Sequence, residues 1–322
     1  MQCSLRDISI FVAAYEERSF TGAAQRENAT QSGVSQHMRN LEYMLGVQLF
    51  LREHGGVTPT PAAASFYRKC LDVLRAHAIA RADVARFAET QAGEVRIGLM
   101  PTMTSRALSP SLDAFVRQAP NTIVRITEGY SARLTQLVQS GELDCAIVPA
   151  LAAVPGVRSR FFVRTPETLV SRAGTGLTHL DPVRLADHGP LRIVLPDVAN
   201  TRRQTIEAYC AERQIEIAQI VELDSMLGTL DFVSRSDWVT VLPAIMMPED
   251  AGEKRLCVNP IVSPELDLDL VMIEPIRKPM SPHTERFLGY LETEALRLSA
   301  SWEKIRQRKP RPESSVRLVA QA

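Results

Sequence analysis

Between Gln31 and Leu45 the side chains able to hydrogen-bond fall on one side of a helical repeat. Val34, Met38, Leu41 and Leu45 step by four, three and four residues and draw a single apolar stripe. Ser32, Ser35, Gln36, Arg39 and Tyr43 take the opposite face. Serine, glutamine and arginine are side chains that reach base edges and phosphates from a helix lying in a major groove. A merely solvated face would carry the same residue types, so the helix pattern alone leaves both readings open. His37 flanks the stripe, and a packed or half-exposed histidine accounts for it as well as a phosphate contact does.

Other chemistry finds little support. The chain has no HExxH, Walker loop, GxSxG or GxGxxG, and its six histidines are scattered without ligand spacing. Glu249-Asp250 follows Pro248 and reads as a solvated turn. Cys3, Cys70, Cys145, Cys210 and Cys257 are far apart and include no CxxC, which suits reduced thiols. No catalytic residue, metal site or cofactor is expected. Lys+Arg and Asp+Glu balance at 37 each. Residues 1–60 hold five basic and six acidic side chains, so phosphate binding would depend on where charges sit. The first 20 residues have acids within their apolar stretch and fit an amphipathic helix, and no apolar run approaches the ~18 residues that span a bilayer.

The elements that would position these residues follow from period and punctuation. Leu5, Ile8, Phe11, Val12 and Tyr15 predict a first helix over residues 5–17. Ser19 and Thr21 supply capping oxygens for a short second helix from Thr21 to Glu27, Asn28-Ala29 makes a turn, and Thr30 caps the third helix, which Gly46 ends. Leu49-Phe50, Gly55-Gly56 and Val57–Thr60 predict a hairpin whose tip carries Arg52 and His54. From Ala62 to Thr90 there is no glycine or proline, and Phe66, Cys70, Val73, Leu74, His77, Ile79, Val84 and Phe87 form an apolar seam. A helix that long needs a partner, either a second copy or the rest of its own chain. Beyond Gly93 short apolar strands alternate with helices in two similar blocks, the mark of mostly parallel α/β lobes. Strands are expected at Val95–Met100, Ile123–Thr127, Cys145–Pro149, Thr168–Ser171, Arg192–Leu195, Ile217–Leu223, Trp238–Leu242 and Leu268–Ile273, with a closing helix over Pro282–Glu303. The basic tail 304–322 reads as disordered and solvated, or else as touching DNA.

The order of helix-turn-helix, wing, long helix and two-lobed α/β domain resembles the LysR family of transcriptional regulators along nearly the whole chain. The run 19–50 carries the resemblance: Ser19-Phe20, Ala23-Ala24, Thr30-Gln31-Ser32, Val34-Ser35, Leu41-Glu42, Leu45-Gly46 and Leu49-Phe50, then Arg52. Two residues depart from the family pattern. Glu27 stands where a leucine is usual, which predicts looser packing at the end of the second helix, and Ala63 stands where a glycine is usual. The C-terminal half matches more loosely, at Gly98, Phe115, Pro120, Glu128-Gly129, Leu137, Gly141–Asp144 and Trp238–Pro243.

The resemblance implies an α/β chain with an all-α winged-helix N-terminal domain at 1–60, a linker and dimerisation helix at 61–92, and an effector domain of the type 2 periplasmic-binding-protein kind at 93–303. Lobe 1 would take 93–165 and 268–303, and lobe 2 would take 166–267. DNA contacts are expected from Gln31, Ser32, Ser35, Gln36 and Arg39, with Arg52 at the wing. Ligands of α/β sheets sit outside the carboxyl ends of strands, facing helix N-termini. That points to Pro101–Ser105, Tyr130-Ser131, Asn200–Arg202, Asp224-Ser225 and Pro149. The effector set is therefore Thr102, Met103, Thr104, Ser131, Pro149, Thr201 and Arg202, with Thr102 and Ser131 foremost, although hydroxyls at helix starts also serve simply as caps. Arg133 and Arg202 would neutralise a carboxylate if they face the cleft, and are otherwise surface residues. The implied partners are palindromic promoter DNA, a small organic effector such as a carboxylate, RNA polymerase, and a second or further copies of the chain in a cytoplasmic dimer or tetramer. Two other classes fit the residues. One is an α/β solute-binding or enzymatic protein with an idle N-terminal module, and the other is an architectural DNA-binding protein with a filled cleft.

Overall fold

A computed structural model describes residues 3–53, 56–85, 93–150, 152–198, 200–247 and 255–307. His54, Phe87, Glu249-Asp250 and the tail from 308 onward lie outside them.

The N-terminal unit is built from α1 (Leu5–Glu17), α2 (Phe20–Arg26), α3 (Gln31–Leu45), the strands β1 (Phe50–Glu53) and β2 (Gly56–Pro59), and α4 (Pro61–Ala85). The caps fall where hydroxyls and glycine allow. Ser19 Oγ accepts from the Gly22 amide, Thr30 Oγ1 accepts from the Gly33 amide, and Gly46 closes α3 at φ 65°. Helix α2 begins at Phe20, one residue before Thr21, because Ser19 is the cap. Beneath the three helices Phe11, Val34, Met38, Leu41 and Leu49 are fully or almost fully buried. Glu42 ties the wing to α3, its Oε1 accepting from the amides of Leu49 at 2.8 Å and Phe50 at 3.0 Å. Substituting Glu42→Ala should cost ~1–3 kcal/mol by stranding two part-buried amides, measured as a fall in the urea midpoint of the N-terminal transition.

Glu27 does not loosen α2. It pairs with Arg6 at 3.5 Å and with Arg277, from beyond the α/β sheet, at 3.6 Å. Next to it Arg26 bridges Glu16 and Glu17, and Tyr67 donates to Glu16 at 2.6 Å. Ala63 is completely buried, so its methyl group adds to the core.

Helix α4 divides its seam. Phe66, Cys70, Leu71 and Leu74 pack with α1, whereas Val73, Ile79 and Val84 stay exposed.

The C-terminal unit contains β3 (Glu94–Leu99), a single turn α5 (Pro101–Thr104), α6 (Leu108–Gln118), β4 (Ile123–Glu128), α7 (Ser131–Ser140), β5 (Cys145–Pro149) and the long β6 (Val157–Arg172). After these come β7 (Leu191–Leu195), α8 (Thr201–Glu212), β8 (Ile217–Glu222), α9 (Met226–Arg235), β9 (Val239–Pro243), β10 (Leu256–Pro260), β11 (Asp267–Pro275) and α10 (Pro282–Gln307). The sheet order is β4-β3-β5-β11-β6-β9-β7-β8, with β10 also on β6. Among the described strands two trios are parallel, β4-β3-β5 and β8-β7-β9, and every pairing through β6 or β11 is antiparallel. The mostly parallel expectation is thus corrected to a mixed sheet, because β6 runs through both halves, antiparallel to β11 in one and to β9 and β10 in the other. Strand β10 and the first half of β6 were not foreseen. Helix α10 runs past Glu303 to Gln307, and Arg306 pairs with Glu265 and Glu303 instead of starting a loose tail.

Gly98 lets α7 lie close on β3. A Cβ there would stand 2.8 Å from side-chain carbons of both Leu134 and Leu143. Asp144 anchors this corner, pairing with Arg96 at 2.9 Å and Lys278 at 3.0 Å. Burial pushes its carboxyl up, but Arg96 and Lys278 together hold it below its ordinary 3.8. A carboxyl lower in the folded than in the unfolded chain stabilises above the unfolded value and stops doing so as pH falls through the folded one. The melting temperature should therefore fall below about pH 4, and Asp144→Asn should flatten that limb in a series of melts from pH 7 to 3.

Candidate functional site

The outer face of α3 is a connected polar row. Arg39 Nη2 donates to Gln36 Oε1 at 2.7 Å, and Gln36 Nε2 donates to Asn40 Oδ1 at 2.9 Å. Gln31, Ser32, Gln36 and Arg39 are exposed. Ser35 is only 6% exposed and sits in a depression with Phe20, Met38, Arg39, Glu42, Gln48 and Phe50. The five helix residues are therefore not equivalent, since four project and Ser35 is recessed. The backbone of Arg52 pairs with Val57 across the wing hairpin, and its side chain lies outside the described parts. His37 is half-buried against Asp7, with Nδ1 2.6 Å from the carboxylate. Burial raises the Asp7 carboxyl, but the Ser4 hydroxyl and amide, together with His37, hold it below the usual aspartate range. His37 thus serves the joint between α3 and α1.

The second site lies where the carboxyl ends of β3, β4, β7 and β8 converge. Met100, Pro101, Thr102 and Tyr130 face Val194, Leu195, Pro196, Asn200 and Arg202 across a cleft floored by Thr240 and Leu242 and flanked by Leu223, Met226 and Thr229. Two hydrogen bonds cross between the lobes beside it. Ser131 Oγ lies 2.9 Å from Thr201 Oγ1, and Tyr130 donates its hydroxyl to the Asp224 carbonyl at 3.2 Å. The space left in the cleft is about 30 Å³, room for one or two water molecules.

The expected effector residues separate into three groups. Thr102 and Arg202 line the cleft, and Ser131 and Thr201 bond to each other across the two lobes without lining it. Met103, Thr104 and Pro149 do neither. Met103, in the single turn α5, is fully buried in the main core. Thr104 donates to Glu128 on the outer side of that turn. Pro149 ends β5, an interior strand, buried in register with Leu270 of β11. Arg202 is not a surface residue. It is buried in a two-pronged pair with Glu167, at 2.6 and 3.0 Å, and also reaches the Val241 carbonyl. Arg133 is exposed on α7 and does not line the cavity. Glu167, Met226, Thr229 and Thr240 were missed. Thr240 sits in an expected strand, but nothing local says which way it faces.

A winged helix-turn-helix with an exposed polar face on α3, joined to a two-lobed α/β unit with a cleft between the lobes, defines a ligand-responsive DNA-binding regulator. Residues 5–64 match the bacterial regulatory helix-turn-helix proteins of the lysR family, and residues 88–296 match the LysR substrate binding domain. The chain belongs to the LysR family and is a LysR-type transcriptional regulator. It is 26% identical over 284 residues to the nitrogen assimilation regulatory protein nac of Klebsiella aerogenes, covering 88% of this chain and 92% of the relative. It is 22% identical over 302 residues to the DNA-binding transcriptional dual regulator OxyR of Escherichia coli (strain K12), covering 94% and 98%. Its fold resembles that of a cysteine-to-serine mutant of Corynebacterium glutamicum OxyR with hydrogen peroxide bound, at TM-score 0.57, 20% identity and coverage of 94% and 96%. It also resembles full-length BenM, at TM-score 0.55, 20% identity and coverage of 90% and 96%.

Proposed function

We propose that α3 enters the major groove, with Gln31, Ser32, Gln36 and Arg39 at base edges and phosphates, Ser35 approached only closely, and Arg52 on the flanking backbone. The observation that carries this is the exposed, mutually hydrogen-bonded row Arg39–Gln36–Asn40 on a helix whose other face is buried. Pairing within the row pre-sets rotamers, which lowers the ordering cost of docking. The exposed Val73, Ile79 and Val84 on α4 suit pairing with a second copy, and two recognition helices then meet two half-sites of a palindrome. Effector binding between the lobes breaks the Ser131–Thr201 hydrogen bond, shifts the tethered DNA-binding units and alters contact with RNA polymerase. The protein works in the cytoplasm, as a dimer or tetramer, and performs no catalysis. No helix among the described residues is long and apolar enough to cross a membrane, and none of them form a cluster fit to hold a metal. The test is competition binding to DNA from upstream of its own gene against random DNA. A protected footprint that survives the competitor supports the reading, and equal binding to both overturns it.

Some relatives are named as hydrogen peroxide-inducible activators, but the thiols here are built for packing. Cys70, Cys145, Cys210 and Cys257 are buried. Burial pushes the Cys70 thiol up to about 12 and Cys145 well above its ordinary value. Cys257 is held by Asn259 at 3.1 Å and the Leu177 carbonyl at 3.4 Å. A thiol kept protonated is a poor nucleophile. Iodoacetamide at pH 8 should therefore label Cys3 in the native protein and leave the other four unmodified, as read by peptide mass spectrometry.

A further inference from the structure

The cation presented to the cleft is already neutralised. Arg202 donates through Nε and Nη2 to both oxygens of Glu167, and through Nη2 to the Val241 carbonyl as well. Its side chain is 7% exposed and that of Glu167 is 3% exposed. The neighbouring Arg203 turns away to Glu207 at 2.8 Å and Glu222 at 2.7 Å. Around Tyr130 the charges close enough to act are two negative ones, Glu128 and Asp224, against the single positive charge of Arg202. A carboxylate delivered to Arg202 would be the second acid on one guanidinium. The cluster would hold a net negative charge away from water, which is strongly unfavourable. An uncharged oxygen meets no such penalty, because the guanidinium N–H groups not engaged by Glu167 and the hydroxyls of Thr102 and Tyr130 can serve it. Asn200, Thr229 and Thr240 add uncharged polar groups, and the rest of the wall is apolar: Met100, Val194, Leu195, Leu223, Met226 and Leu242, with Pro101 and Pro196.

We infer that the effector of this cleft is a compact, uncharged, mainly apolar molecule with a hydrogen-bonding oxygen, and that Glu167 is the residue that excludes carboxylates. This rests on the cleft being the effector site.

The experiment uses the full chain and matched probes, benzamide with benzoate and isobutyramide with isobutyrate, by calorimetric titration and thermal unfolding at pH 7.5. The wild type should bind an amide at least ~10-fold more tightly than its carboxylate, a difference of about 1.4 kcal/mol. In Glu167→Gln the guanidinium loses its counter-charge, so acetate and benzoate should raise the melting temperature of that variant and leave the wild type unmoved. The double variant Glu167→Gln/Arg202→Gln should lose this rescue. Amide preference or carboxylate rescue upholds the inference. A wild type that prefers carboxylates, or one that binds neither probe while Glu167→Gln is not rescued, overturns it. If Glu167→Gln does not fold, the wild-type comparison decides alone. Probe binding that persists in Thr102→Trp, which fills the cavity, places the probe elsewhere and overturns the cleft reading itself.

Discussion

Replacing Gln36 and Arg39 together by alanine should abolish selective DNA binding while leaving the fold intact. Both side chains are exposed, so their loss opens no cavity. A single base-edge contact of this kind is worth ~1–3 kcal/mol. The two effects should not add, because Arg39 donates to Gln36 and removing either frees the other. The single variants should therefore each come close to the double in a competition assay. Salt separates two roles for Arg39. If it reads a base, Arg39→Ala relaxes preference at one position of the site. If it grips a phosphate, the loss is uniform across sequences and the dependence of affinity on salt becomes shallower. Unchanged footprints in the double variant would remove α3 as the reading element.

The largest effect on stability should come from Arg202. Arg202→Met leaves the Glu167 carboxylate 3% exposed with no cation to balance it. Removing one partner of a buried pair costs ~3–5 kcal/mol, largely through the charge left behind. For a unit of this size that is a fall of roughly 6–20 °C in the melting temperature of the C-terminal transition. Arg202→Met/Glu167→Leu should recover much of the loss, because no stranded charge remains. The comparison forms a double-mutant cycle, readable by calorimetry. A fall of less than about 1 kcal/mol in the single variant would show that the pair is solvated, as exposed pairs are.

Several elements were legible because their signals are local. The spacing of Val34, Met38, Leu41 and Leu45 located α3, and Thr30 and Gly46 marked its ends to the residue. Other elements hid for physical reasons. The first half of β6 reads VRSRFFVRTP, with Pro166 inside it and three arginines on its outer side. Arg158, Arg160 and Arg164 point to solvent and pair with Glu274, Glu292 and Asp269. A strand that carries charge outward and proline within gives neither an apolar run nor clean alternation. The cleft was half legible. The turns at Thr102, Ser131 and Arg202 stand at strand ends, as a ligand site in such a sheet requires. Met103 shares the first of those turns yet packs into the core, and Pro149 is buried at the end of β5, since a position at a strand end does not say which way a side chain leaves it.

By itself the sequence determined the helix-turn-helix, the polar face that α3 offers and the existence of two α/β lobes, because period and capping act over a few residues. Only the tertiary structure decided the charge of the cleft. Arg202 and Glu167 stand 35 residues apart on different elements. Read singly, an arginine at a helix start invites an anion. Brought together away from water they cancel, and what remains for a ligand is hydroxyls, the Asn200 amide, guanidinium N–H groups and apolar surface.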